Sequence, residues 1–187
     1  MKKTSSLGII IVLLFVAAMS ASGQAVGKVV GVEAGYGYIT SSQELNPLSP
    51  HGLLAGLRYG YLILDRPTTS AMLSLALGYN WFPMAVGGNS LQALVYGLEY
   101  EHIFFRQSWI ALALEYGLLF NLLLEDGRQG YAFGHHTRLG LGPVFRLGER
   151  DELVLLLDYN IVSFPYFEQP AGKLSFPSVA LRYQLRF

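Results

Sequence analysis

The chain has 187 residues, of which 52% are hydrophobic and only 14% charged, with 13 Lys+Arg balancing 13 Asp+Glu. That composition excludes a disordered chain and a coiled coil, and the zero net charge gives no footing for nucleic-acid binding. The absence of cysteine removes disulfides, thiolate metal sites and a cysteine nucleophile together. Glycine (21), tyrosine (12) and phenylalanine (11) are abundant, which suits strands whose two faces meet different surroundings.

Residues 1–23 read as a secretory signal. Lys2 and Lys3 supply the positive start, Leu7 to Ala18 the apolar stretch, and Ala21-Ser22-Gly23 the small residues before a cut at Gln24. No later stretch holds the roughly 18–20 uninterrupted apolar residues of a membrane helix. The exported domain is therefore expected over 24–187, without a helical anchor.

That domain alternates with a period of two, the mark of strands with unlike faces. In chain order the alternating segments are 28–39, 52–63, 70–81, 91–104, 109–122, 135–147, 151–163 and 178–187. In the first, Val30, Val32, Tyr36 and Tyr38 oppose Gly31, Glu33, Gly35 and Gly37. In the last, Val179, Leu181, Tyr183, Leu185 and Phe187 oppose Ser178, Ala180, Arg182, Gln184 and Arg186. One face carries the large apolar residues throughout. The other is rich in Gly, Ala and Ser and takes the charges, with His102 the one non-tyrosine titratable group on the apolar side.

This asymmetry fixes which face points where. A narrow eight-stranded interior wants small residues and paired polar ones, whereas a lipid-facing wall wants Leu, Val and aromatics. The predicted fold is all-β: an eight-stranded antiparallel up-and-down transmembrane barrel. Short connections at 65–67, 106–108 and 148–150 alternate with longer ones near 41–50, 82–90, 123–134 and 164–175. Short periplasmic turns and longer external loops put both termini in the periplasm of an outer-membrane protein. Aromatics form two girdles: Tyr36, Tyr38, Tyr79, Trp81 and Phe120 outside, Tyr59, Tyr61, Phe104, Phe145 and Phe187 inside.

The terminal run VALRYQLRF, with Tyr183, Leu185 and Phe187, resembles the C-terminal insertion signal of outer-membrane barrels. The resemblance implies recognition by the barrel assembly machinery. The chain from 24 onward resembles the small eight-stranded barrels grouped with the OmpA transmembrane domain and OmpX, in pattern and architecture and with no subfamily signature. No peptidoglycan-binding domain follows the barrel in this sequence.

The predicted lumen charges are Glu33, Arg58, Glu99, Glu101, Glu115, Arg138, Arg146, Glu152, Asp158, Arg182 and Arg186. Isolated ions in a narrow lumen would be costly, so acids and arginines are expected to pair. Eight of them (Glu33, Arg58, Glu99, Glu101, Glu115, Arg138, Asp158 and Arg182) form the candidate network, read as an ion-pair plug in preference to a gated ion path.

Two barrel enzymes provide contrasts. The lipid A palmitoyltransferase type needs an apolar lumen for an acyl chain, which these charges deny. The lipid A deacylase type places a His, a nearby Ser and an acid on the membrane-facing surface. Here His135-His136-Thr137-Arg138 supplies histidines but no serine at the motif position. His51, His135 and His136 are expected near the outer rim, but neighbours on a strand face opposite ways and make poor joint metal ligands. No catalytic, metal or cofactor site is assigned.

The apolar triplets Phe82-Pro83-Met84, Tyr131-Ala132-Phe133 and Pro165-Tyr166-Phe167 are read as external loop residues, either a docking surface or a cover over the barrel mouth. The expected role is structural and non-enzymatic, alone or as a small accessory subunit of a larger outer-membrane protein complex. Its expected surroundings are outer-membrane lipid and lipopolysaccharide, with no nucleic acid. A narrow pore and a lipid A-modifying enzyme are the alternatives.

Overall fold

The computed structural model describes residues 27–43, 51–83, 90–108, 110–125, 131–164 and 172–187. The expected signal segment, Met84 and residues 165–167 lie outside them. The strands are β1 (Gly27–Tyr38), β2 (Ser41–Gln43), β3 (His51–Asp65), β4 (Thr69–Pro83), β5 (Ser90–Phe104), β6 (Ile110–Glu125), β7 (Tyr131–Arg146), β8 (Asp151–Phe164) and β9 (Gly172–Arg186). All pairings are antiparallel and the order is β1-β3-β4-β5-β6-β7-β8-β9, closed by β1 on β9. The three residues of β2 extend the pairing of β9 at the loop end. The result is a closed eight-stranded up-and-down barrel.

Closure is completed by backbone bonds in both directions, Lys28 N to Phe187 O at 2.7 Å and Phe187 N to Lys28 O at 2.9 Å. A closed sheet has no edge, so no strand leaves a row of bare N–H and C=O groups facing apolar surroundings. The turns are tight: Arg66 N donates to Thr69 O at 2.9 Å, and Ser108 N to Phe105 O at 2.9 Å. Phe105 takes a left-handed backbone with φ 56°, a conformation more usual for glycine or asparagine.

The faces segregate as the alternation requires. Leu57, Leu139, Leu157 and Leu181 point outward and are exposed, while Val154, Leu156 and Ala180 on the opposite face are fully buried. Lumen packing comes in layers along the barrel. Val29, Leu62 and Met72 form one apolar cluster toward the turn end, and Ile103, Ala113, Val144 and Leu156 belong to a second. Phe82, Ala93, Val162, Leu174 and Phe176 form a third toward the loop end. Most of the charged residues occupy the level between.

Several strands run further toward the loops than their alternation marks. β4 continues through Phe82 and Pro83, β6 through Glu125, and β7 begins at Tyr131. Phe82 is therefore not an external loop residue. It is 2% exposed, turned into the lumen and edge-on to Phe176 with ring centroids 5.2 Å apart. Gly52 makes room for it, since a Cβ there would collide with the Phe82 ring. At the other end Arg146 shares the parity of lumen residues but is exposed. It is the last residue of β7, and its register partner Glu152 is buried and paired with Arg186 instead.

Candidate functional site

The lumen at mid-height is a single network of ions. Arg182 on β9 is fully buried and donates from Nε at 2.9 Å and Nη2 at 2.5 Å to Glu33 Oε2 on β1. Its Nη1 crosses the lumen to Glu101 Oε2 at 2.7 Å and Glu115 Oε2 at 2.5 Å. Arg58 on β3 bonds to Glu99 and reaches Glu115 Oε2 at 3.2 Å. Arg138 on β7 sits 2.6 Å from Asp158 Oδ2, 2.8 Å from Glu33 Oε1 and 3.4 Å from Glu99 Oε1. The structure thus brings together all eight residues of the candidate network.

Three guanidiniums bridge carboxylates contributed by β1, β5, β6 and β8, so the arginines cross-brace opposite walls. The planar, five-donor fork of arginine is the side chain suited to this task. Each ion has partners of opposite sign, which is the condition under which burial of charge is tolerated.

Glu152 and Arg186 lie lower, as a separate pair. Arg186 donates to Glu152 Oε2 from Nη2 at 2.6 Å and to Ser70 Oγ at 3.3 Å. At the turn end Arg106 is paired with Asp65, both partly exposed.

Neutral polar side chains absent from the eight-residue set complete the network. Gln184 Nε2 donates to both oxygens of Glu101 at 3.1 and 3.0 Å. Asn160 Nδ2 donates to Ser178 Oγ at 2.9 Å, and Ser178 lies 3.5 Å from Asp158 Oδ2. His136 Nε2 is 2.8 Å from Asn160 Oδ1. All of them lie on the small-residue face of the alternation, so the sequence carried their direction. Their shared height depends on register between distant strands, which no local signal reports.

The histidines are dispersed. His136 faces the lumen, while His135 faces out against Phe120, with ring centroids 5.8 Å apart. His51 bonds Tyr36 and lies edge-on to Tyr38 on the outer face. His102, also outward, accepts or donates at Thr69 Oγ1 (2.7 Å) and Tyr100 OH (2.8 Å) and stacks on Phe104. Among the described residues no group of three or more His, Asp or Glu is arranged to hold a metal ion.

The terminal residues Tyr183, Leu185 and Phe187 form an exposed outward stripe on and just beyond β9. The Tyr183 hydroxyl donates to Asp151 Oδ1 at 2.7 Å.

No protein-family model matches the chain, and no curated protein matches it either. Solved structures do resemble it. Neisserial surface protein A superposes with a TM-score of 0.64 at 16% identity, covering 86% of this chain and 97% of that one. The outer membrane enzyme PagL gives 0.59 at 18% identity, covering 83% and 98%. Ail, the attachment invasion locus protein of Yersinia pestis, gives 0.50 at 13%, covering 85% and 99%. At these identities the likeness is one of fold. The chain has the fold of the small eight-stranded outer-membrane barrels.

Proposed function

We propose that this chain is an integral outer-membrane β-barrel protein with a structural role and no enzymatic activity, acting alone or as a small accessory subunit of a larger outer-membrane complex. The observation that carries this reading is the contrast between its two surfaces. The outer wall is a continuous field of exposed Leu, Val and Tyr, including Leu57 and Leu157 at 57% and 63% exposure. The lumen is cross-linked by ion pairs at mid-height and packed with Phe82 and Phe176 toward the loops. Such a molecule offers lipid or a neighbouring protein an extended apolar surface and offers solutes no wide channel.

In this reading both termini lie in the periplasm. The stripe Tyr183, Leu185 and Phe187 serves the barrel assembly machinery during insertion. Lipopolysaccharide and phospholipid surround the mature wall. Gentle detergent extraction followed by native mass measurement tests the assembly role. Co-migration with other outer-membrane proteins supports an accessory subunit, and a lone species of about 18 kDa, the mass of roughly 164 residues, removes it.

A second reading, an outer-membrane hydrolase, has one observation in its favour. His135 and Ser163 are direct cross-strand partners, both turned outward near the loop end. A histidine beside a serine is the beginning of a nucleophile–base pair. On its other side His135 is in register with Phe120, where a carboxylate would be needed to orient the imidazole. Mass spectrometry of lipid A with and without the protein tests this reading; loss of an acyl chain would establish it.

A further inference from the structure

The two ends of the barrel carry opposite charge. Each of the three tight turns holds an arginine: Arg66 between β3 and β4, Arg106 between β5 and β6, and Arg150 between β7 and β8. Lys28, Arg146 and Arg186 join them from the same ends of β1, β7 and β9. Asp65, Glu149, Asp151 and Glu152 share that end, so six cations face four acids. By sequence the opposite end has Arg128 and Lys173 against Glu44, Glu125, Asp126 and Glu168, an excess of acids.

Most acids at the turn end are engaged within the barrel. Asp65 is paired with Arg106, Glu152 accepts from Arg186, and Asp151 Oδ1 accepts from the Tyr183 hydroxyl at 2.7 Å. The cations are freer. Lys28, Arg66, Arg146 and Arg150 are all exposed and have no ion-pair partner among the described residues. Burial holds the Arg106 guanidinium below its usual pKa, and Arg186 and Arg146 push it the same way, which marks cations gathered at one mouth of the barrel.

Apolar groups stand among these cations. Phe105, in its left-handed conformation in the β5–β6 turn, is 67% exposed beside Arg106. Leu147, next to Arg146, is 61% exposed. Charge alone would suit any anionic partner. The apolar neighbours, continuous with the exposed wall, select a lipid: at the boundary of acyl chains and headgroups the apolar group sinks and the cation stays among phosphates.

We propose that the turn-end rim binds anionic phospholipid headgroups of the adjoining leaflet. Arg66, Arg146 and Arg150 hold phosphodiester oxygens, while Phe105 and Leu147 sit at the acyl boundary. The proposal rests on the reading that the outer wall faces lipid, and it adds which lipid the barrel prefers and at which end.

The test uses the purified barrel reconstituted in phosphatidylcholine vesicles with trace spin-labelled phosphatidylglycerol or phosphatidylcholine. Electron paramagnetic resonance reads the fraction of each label immobilised at the wall. The expected result is association of phosphatidylglycerol at least about twice that of phosphatidylcholine, falling toward parity in high salt. Arg66→Gln/Arg146→Gln/Arg150→Gln should abolish the preference while the immobilised phosphatidylcholine fraction, which reports insertion, stays the same. Lys173→Gln, at the loop end, should leave the preference intact. Equal association of the two labels with the wild-type barrel overturns the proposal, and so does a preference that high salt or the triple substitution does not reduce. The salt comparison uses the wild-type protein, so it decides even if the triple variant fails to insert. Loss of the preference in Lys173→Gln would place the site at the loop end and overturns the proposal too. Absence of immobilised lipid of either kind would instead overturn the lipid-facing wall itself, and the proposal with it.

Discussion

Glu101 and Glu115 are direct cross-strand partners on β5 and β6, both turned into the lumen, and the guanidinium of Arg182 from the opposite wall bridges them at 2.7 and 2.5 Å. Like charges in register repel and weaken a strand pair. Here the repulsion is offset by an arginine whose strand also carries the closing seam with β1, where Glu33 and Arg182 are register partners. Barrel closure and the charge balance of the lumen are therefore one problem with one solution.

Removing that guanidinium tests the coupling. Arg182→Ala leaves Glu33, Glu101 and Glu115 each short of a partner, and breaking a buried ion pair from one side costs about 3–5 kcal/mol. Urea unfolding of the barrel in lipid vesicles should show that loss, and Glu115→Gln added to Arg182→Ala should recover part of it. Arg106→Ala, which breaks the partly exposed pair with Asp65, should cost less than about 1 kcal/mol. Equal losses for Arg182→Ala and Arg106→Ala would contradict the network as drawn.

The loop-end plug gives a second prediction. Gly52→Ala should be destabilising because its methyl group collides with the Phe82 ring, and Phe82→Ala should cost about 3–5 kcal/mol through the cavity left beside Phe176. The two changes share one space, so they should not add. The double variant Gly52→Ala/Phe82→Leu is expected to be more stable than Gly52→Ala alone. Strict additivity in the same unfolding assay would place the ring elsewhere.

The outer wall gives a third. Leu57 is exposed at mid-strand on β3, next to the inward Arg58. Leu57→Arg should lower folding stability in vesicles by about 2–4 kcal/mol, as arginine does on a lipid face near the bilayer midplane. In detergent the penalty should shrink, because a micelle deforms around the charge. A variant that folds as well as the wild type in vesicles would mean that this face does not meet lipid.

How much of this could be read from the residues alone depends on the range of the interaction. Alternation is local, and along β9 it separated Leu181, Tyr183 and Leu185 from Arg182 and Gln184 without knowledge of any partner. Pairing of acids with arginines followed from the cost of leaving an ion alone in a narrow lumen. Height along the barrel did not follow, because it is set by the stagger of strands far apart in sequence. Arg146 has lumen parity yet lies at a strand end in the open, and His136, Asn160 and Ser178 converge only after β7, β8 and β9 are in register. Phe82 and Pro83 fall in the stretch expected as a loop, yet β4 continues through both, since a proline at the end of a strand removes no bond that the ladder needs.

The most direct measurement of the central claim is conductance of the purified barrel in a planar lipid bilayer. A lumen braced by Arg58, Arg138 and Arg182 and capped by Phe82 and Phe176 predicts no discrete current steps. Reproducible single-channel steps that disappear with Arg58→Ala or Glu115→Ala would contradict it, because they would show ions passing through the network that is held here to close the barrel.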